Sequence, residues 1–339
     1  MLHLCFHMKT IFAFPRNSKA WILALLLIYP SSLKAELLYS TNGNSITITG
    51  SNPQATGTLV IPDTIDNLPV TSIGDAAFQG CTELTSVTLP SSITSIGNYA
   101  FSGCSGLTSV TLPSSITSIG LAAFSWCSGL TSVTLPSSLT SIGEGTFYGC
   151  TGLTSVTLPS SITSIGTQAF SGCTGLTSVT LPSSLTSIAE GTFYGCTGLT
   201  SVTLPSSITS IGTQAFQGCT ELTTITIPGN VKSIGRSAFR ECRLLSWVYF
   251  GGNLPTLGTY VFEGVSYATF YHLKTGAGWG PIFQGFPTAL WSPVEPSVGL
   301  VNTLELQVTT DLTNPIWIPV ATNNVPQSGP RQFYRLIPR

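Results

Sequence analysis

Nine cysteines, three histidines and a thin scatter of carboxylates are the side chains of this 339-residue sequence to which catalytic or metal chemistry would first be assigned. Eight of the cysteines fall at 81, 104, 127, 150, 173, 196, 219 and 242, an unbroken spacing of 23. A tetrahedral zinc site needs convergent ligands, typically CxxC pairs, and cysteines in line do not converge. Disulfides are compatible with distance alone, because stacked copies bring Cα atoms within bridging range. However, equivalent side chains project side by side in one direction, which opposes the disulfide dihedral, and the ninth copy carries Val265 instead. The expected state is a buried ladder of small apolar thiols.

Other chemistry finds few residues. His3 and His7 lie in the N-terminal leader, so His272 is the one histidine on which a Ser-His-Asp triad could be built, and aromatics surround it. No GxSxG, HExxH or GxxxxGK[ST] sequence occurs, and "GAGWG" lacks the spacing of a dinucleotide loop. Asp75, Glu144, Glu190 and Glu263 are scattered; Glu144 and Glu190 share a repeat position two copies apart. They are the one pair that could approach the ~5–10 Å carboxylate separation of a glycosidase. No catalytic, metal-ligating or cofactor-binding residue is assigned, and no cofactor is expected.

The cysteines are one point of a larger repeat. Phenylalanine stands three residues before each, at 78, 101, 124, 147, 170, 193, 216 and 239, and Phe262 continues the series, making nine units. In "LTSVTLPSSITSIGNYAFSGC", Leu84, Val87, Leu89, Ile93, Ile96, Phe101 and Cys104 are the apolar points. One unit cannot bury them; stacked units can, each covering the apolar edge of its neighbour. "TSVTL" alternates as a strand, Pro90 ends it, "ITSIG" is a second extended piece, and "NYAFSGC" has room for a single helical turn. Residues 140–174 and 186–220 differ only at Gly143/Ala189 and Ser171/Gln217, the mark of a 46-residue tandem duplication.

Only 7% of the residues are charged and 42% are apolar, so the chain is packed with an unusually uncharged surface rather than disordered. Residues 1–35 read as a signal peptide for export: Lys9, Arg16 and Lys19 precede an apolar run from Ala20 to Tyr29, and Ala35 precedes the cut. That run is shorter than the ~20 residues a membrane span needs. No transmembrane helix is expected in the mature chain, whose 8 basic and 13 acidic residues give no reason to expect a nucleic-acid partner.

The pattern "LTSVTLPSSITSIGxxAFxGC" resembles the BspA-type leucine-rich repeat of secreted and cell-surface bacterial proteins. The resemblance implies an α/β fold, a right-handed leucine-rich repeat solenoid of about nine 23-residue units, and non-catalytic roles in adhesion or partner binding. The expected organisation is a signal peptide (1–35), an N-terminal β segment (36–56), the solenoid (57–266), an aromatic C-terminal cap (267–291), and a linker with a small β module (292–339). The cap reading rests on Phe270, Tyr271, Trp279, Phe283, Phe286 and Trp291; the module reading rests on "LELQVTTDL", "IWIPVATN" and "RQFYRLIP" after the Pro-rich "SPVEPS".

The candidate binding residues are the polar positions that alternate with buried Val and Leu along the repeated strand. One row is Ser86, Ser109, Ser132, Ser155, Ser178 and Ser201; the other is Thr88, Thr111, Thr134, Thr157, Thr180, Thr203 and Thr226. A repeated hydroxyl surface suits an extracellular protein or a glycan or matrix polymer held by many weak contacts. The second reading is a carbohydrate-binding or carbohydrate-degrading protein that uses the cap aromatics and turn carboxylates. Lys232, Arg236, Arg240 and Arg243 form a basic cluster in the eighth unit, with Glu241 inside it.

Overall fold

A computed structural model describes residues 35–291 and the backbone strands Leu304–Thr309, Ile318–Val320 and Phe333–Pro338. The signal-peptide reading, apart from Ala35, and the linker lie outside the described residues. The chain divides into two units between Trp291 and Ser292.

The first unit opens with an antiparallel hairpin, Glu36–Asn42 against Ser45–Asn52, turned at Gly43. The chain then winds into coils, and each repeat lays one short strand on its predecessor in parallel. Seven strands from Gly57–Val60 to Ser201–Thr203 form one continuous sheet. Thr224–Ile227, Trp247–Phe250, Thr269–Leu273 and Phe286–Trp291 form a second parallel run, so the column reaches about ten turns rather than nine. A second ladder of two-residue strands, Ser95–Ile96 and its equivalents, runs along another side of the coils.

The helical part of the expected α/β class is absent: among the described residues there is no helix. The reason lies in the corner "NYAFSGC". Tyr99 and Gly103 both take left-handed backbone angles, φ 55° and 75°, and in every coil the equivalent positions do the same. A right-handed helix needs φ near −63° throughout, so two left-handed residues four apart prevent one. Alternate N–H groups are thereby aimed at the next coil: Tyr99 N–H donates to Leu121 O, Phe101 to Ala123 O and Gly103 to Ser125 O, at 2.7–2.8 Å. Ser102 and Cys104 N–H groups close tight turns on Tyr99 O and Phe101 O. Glycine suits the second position, yet two coils have Trp126 and Glu241 there, at φ 60° and 59°, Trp126 with its side chain about half exposed.

The core is a column of phenylalanines. From Phe78 to Phe262, each ring stacks on the next with centroids 5.3–5.8 Å apart and planes within 14° of parallel. Leu84, Val87, Ile93 and Ile96 and their equivalents fill the remaining volume. Past Phe262 the rings turn edge-on, with Phe270 at 4.8 Å and 78°; Phe283 and Phe286 pack against Phe270, and Trp279 against Phe283.

In the second unit, Leu304–Thr309 pairs antiparallel with both Ile318–Val320 and Phe333–Pro338, giving a three-stranded sheet. Among the described residues no helix is long and apolar enough to cross a membrane.

Candidate interaction surface

The eight repeat cysteines are free, buried thiols. From Cys104 to Cys242, each sulfhydryl lies 3.1–3.2 Å from the carbonyl of the phenylalanine one coil back, Cys104 on Phe78 O and Cys127 on Phe101 O. The ladder is therefore packing with a weak donor attached. Burial pushes the thiols up, Cys196 and Cys242 to about 12. No group of residues able to hold a metal ion occurs among the described residues. Because the thiolate is the reactive form, an aromatic disulfide reagent is expected to label none of the eight in the native protein and all eight in denaturant without reductant. Fewer than eight in denaturant would reveal bridges and overturn the packing role.

His272 stacks on Trp279 at 5.0 Å, and its Nδ1 lies 3.1 Å from Leu273 O. Glu144 and Glu190 are exposed in coils separated by the one that carries Thr167, about 10 Å along the column, and the coil of Phe262 stands three coil steps, about 14 Å, beyond that of Glu190. The basic cluster is largely matched: Arg243 Nε donates to Glu241 Oε2 at 3.0 Å, and Arg236 lies over the Tyr260 ring. Arg240 Nε sits 2.9 Å from Glu263 Oε2 as an ion pair, but its N–H is not aligned for a hydrogen bond.

The repeated strand is built by alternation. Val87, Val110, Val133, Val156, Val179 and Val202 point into the column, so Ser and Thr on either side of each point out. Parallel pairing without slip places Ser86 beside Ser109 and Thr88 beside Thr111, and likewise Ser132 beside Ser155 and Thr180 beside Thr203. Each row therefore repeats every ~4.8 Å along the column.

Hydrogen bonding separates rows of the same composition. The first Thr of each strand is engaged: Thr108 Oγ1 donates to Thr85 O at 3.1 Å, and Thr131, Thr154, Thr177 and Thr200 repeat this. The second Ser of each "PSS" also reaches the previous coil, as in Ser92 to Val70 O at 2.7 Å and Ser207 to Leu185 O at 2.6 Å. By contrast, the hydroxyls of Ser109, Ser132, Ser155, Ser178 and Ser201, and of Thr88, Thr111, Thr134, Thr157, Thr180, Thr203 and Thr226, have no partner among the described residues. Ser86 is the exception, donating to Thr58 Oγ1 at 3.0 Å.

Both rows run further than the Ser and Thr pattern suggests. Register continues the first through Thr224 to Trp247 and Thr269, and the second through Thr226 to Tyr249, Tyr271 and Ala289. Trp247 and Tyr249 keep the 23-residue period from Thr224 and Thr226, with "SWVYF" standing where earlier copies read "TSVTL"; the spacing shortens to 22 residues only after them, which takes Tyr271 off the period.

Residues 58–175 and 140–269 match the model of the BspA type leucine rich repeat region, in 6 copies. The crystal structure of a leucine rich repeat protein from T. pallidum is 38% identical, covering 55% of this chain and 87% of that one, with a TM-score of 0.53. A leucine rich cell surface protein from Faecalibacterium prausnitzii is 24% identical over 72% of this chain and 95% of that one, TM-score 0.34. The pneumococcal vaccine antigen PcpA is 15% identical over 76% and 96%, TM-score 0.41. No curated protein matches the chain.

Proposed function

Because the chain belongs to the BspA-type leucine-rich repeat family, we propose that it is an exported interaction protein, secreted or held at the cell surface, that binds an extracellular protein or matrix partner through the outward face of its repeated strands. Family membership supports a protein-interaction role, and the leader read in residues 1–35 supports export. The observation that carries the choice of surface is the pair of hydroxyl rows left without partners over consecutive coils, where chemically identical rows beside them are engaged. Groups that satisfy one another within the fold have little to offer a ligand; free donors and acceptors in register bind by summing weak contacts. Residues 292–339 are read as a linker and a small β module of their own.

The test uses the mature chain on a panel of immobilised extracellular matrix proteins. Thr134→Arg combined with Thr180→Arg places two long cations on the face, separated by the coil of Thr157 so that they do not repel directly. Binding is expected to weaken at least tenfold with an unchanged melting temperature. Unchanged binding would remove the strand face from the function, and binding retained by residues 292–339 alone would reassign it.

A further inference from the structure

The outward face changes character at its C-terminal end. Across the seven-stranded sheet, past Val60 on its first strand, the outward side chains are Ser and Thr; over the last strands the face presents Trp247, Tyr249, Tyr271 and Trp291. Tyr249 and Tyr271, directly paired across the sheet, stack with centroids 4.8 Å apart and planes at 20°. Trp291 closes on Tyr249 at 5.3 Å. Trp247, two residues from Tyr249 on the same strand, is 49% exposed and meets no other ring.

End-capping does not account for these four. The rings that close the column are Phe270, Phe283, Phe286 and Trp279, which pack around the last rings of the column, Phe250 and Phe262. Trp247, Tyr249 and Tyr271 alternate with buried Val248, Phe250 and Phe270 and point the other way, into the face that carries the free hydroxyls. Underneath, Phe250 and Phe270 pack at 6.3 Å and hold the strands in place. A preorganised aromatic cluster, exposed at Trp247 and half-buried at Tyr249, Tyr271 and Trp291, on a surface that is otherwise mostly hydroxyl marks a binding surface.

Its chemistry selects the occupant. None of the strands of this face, from Gly57–Val60 to Phe286–Trp291, contains Asp, Glu, Lys or Arg. That removes the charge complementarity an acidic or basic polymer would require. Aromatic rings lying along a sheet stack on the C–H face of a sugar ring, while Ser and Thr hydroxyls exchange hydrogen bonds with sugar hydroxyls. Continuity of the aromatic patch with the hydroxyl rows suits an extended chain rather than a single sugar. We propose that Trp247, Tyr249, Tyr271 and Trp291 are the anchoring subsite for a neutral polysaccharide that continues along the free Ser and Thr rows. This rests on the reading of the outward strand face as the binding surface and assigns the ligand class at one end of it.

The mature chain is incubated with insoluble cellulose, chitin, xylan and β-1,3-glucan, and the bound fraction is measured at low and at high salt. Retention on at least one polymer is expected, with little salt dependence because no charges participate. Trp247→Ala with Tyr271→Ala is expected to lower retention at least tenfold at an unchanged melting temperature. Trp247→Ala alone, at an exposed position, is expected to lower it severalfold and keeps the test valid if the double variant fails to fold. Retention on none of the polymers, or equal retention by wild type and both variants, overturns the proposal. If the Arg variant loses matrix-protein binding while no polymer retains the wild type, the strand-face function stands and this ligand class falls. If the aromatic variants lose matrix-protein binding instead, the patch is a protein docking site and the polysaccharide is again excluded.

Discussion

Phe170→Ala is expected to destabilise the solenoid by about 3–5 kcal/mol, the range for removing a buried ring and leaving a cavity. Phe170 is fully buried between Phe147 at 5.5 Å and Phe193 at 5.7 Å, with planes inclined by 11° and 6°. Its surroundings have little freedom to collapse into the gap. Its own N–H donates to Thr192 O and its carbonyl accepts from Cys196 Sγ, both in the following coil, while Phe147 N–H of the preceding coil donates to Ala169 O, so coils on both sides are tied to the backbone at that point. Each coil contacts only its neighbours, so losing both faces of one ring also weakens the coupling between the two halves of the column. Guanidinium unfolding followed by circular dichroism should therefore show a lower midpoint and a transition that broadens or divides in two. Phe170→Leu, which keeps most of the volume, should cost much less. A loss below about 1 kcal/mol for the alanine variant would mean that the rings do not act as a column.

Raising the pH should unfold the protein steeply. The eight repeat thiols are pushed up by burial, with Cys196 and Cys242 at about 12, whereas a thiol in the unfolded chain ionises near 9.0. Between those values the unfolded chain has released protons that the folded chain still holds. Folding stability from this source is therefore complete below about pH 9 and is lost as pH rises toward the folded values. Each thiol contributes a slope of about 1 kcal/mol per pH unit, so eight in line remove several kcal/mol per unit in the range from about pH 10 to 11. The expected result is cooperative alkaline unfolding with the release of several protons in the transition. Cys150→Ala with Cys173→Ala should reduce that slope by about two protons, a readout separate from any shift in midpoint caused by smaller side chains. A slope of one proton or fewer in the wild type would show that the thiols are not the groups held neutral by the fold.

Much of the architecture was legible in the residues. An unslipping 23-residue period announces stacked coils, because only neighbours related by that period can cover one another's apolar edges. The fixed Phe and Cys positions mark the core, and "TSVTL" marks the strand whose outward positions are Ser and Thr. Two points were misread: the number of turns, about ten rather than nine, and the corner "NYAFSGC". Its length and composition allow a helical turn, but its N–H groups find carbonyls in the next coil, 22 residues on, which local propensity does not register.

The sequence by itself determined the period, the identity of the buried column and the packing role of Cys104 and its equivalents, because those follow from which side chains water rejects at a repeating interval. Tertiary structure alone decided which hydroxyls are free. Thr108, just before the strand Ser109–Thr111, and Thr111 on it are the same residue type in one coil, yet Thr108 donates to the coil beneath it and Thr111 to nothing among the described residues. It also decided that Tyr271 and Trp291 join Trp247 and Tyr249 on the face of Ser86 and Thr88, since the spacing between paired strand residues falls to 22 after Tyr249 and to 18 after Tyr271 and only the pairing sets their register. The physical reason is common to both: hydrogen-bond partners and strand neighbours sit about one coil away in sequence, and their alignment is fixed only when the coils stack.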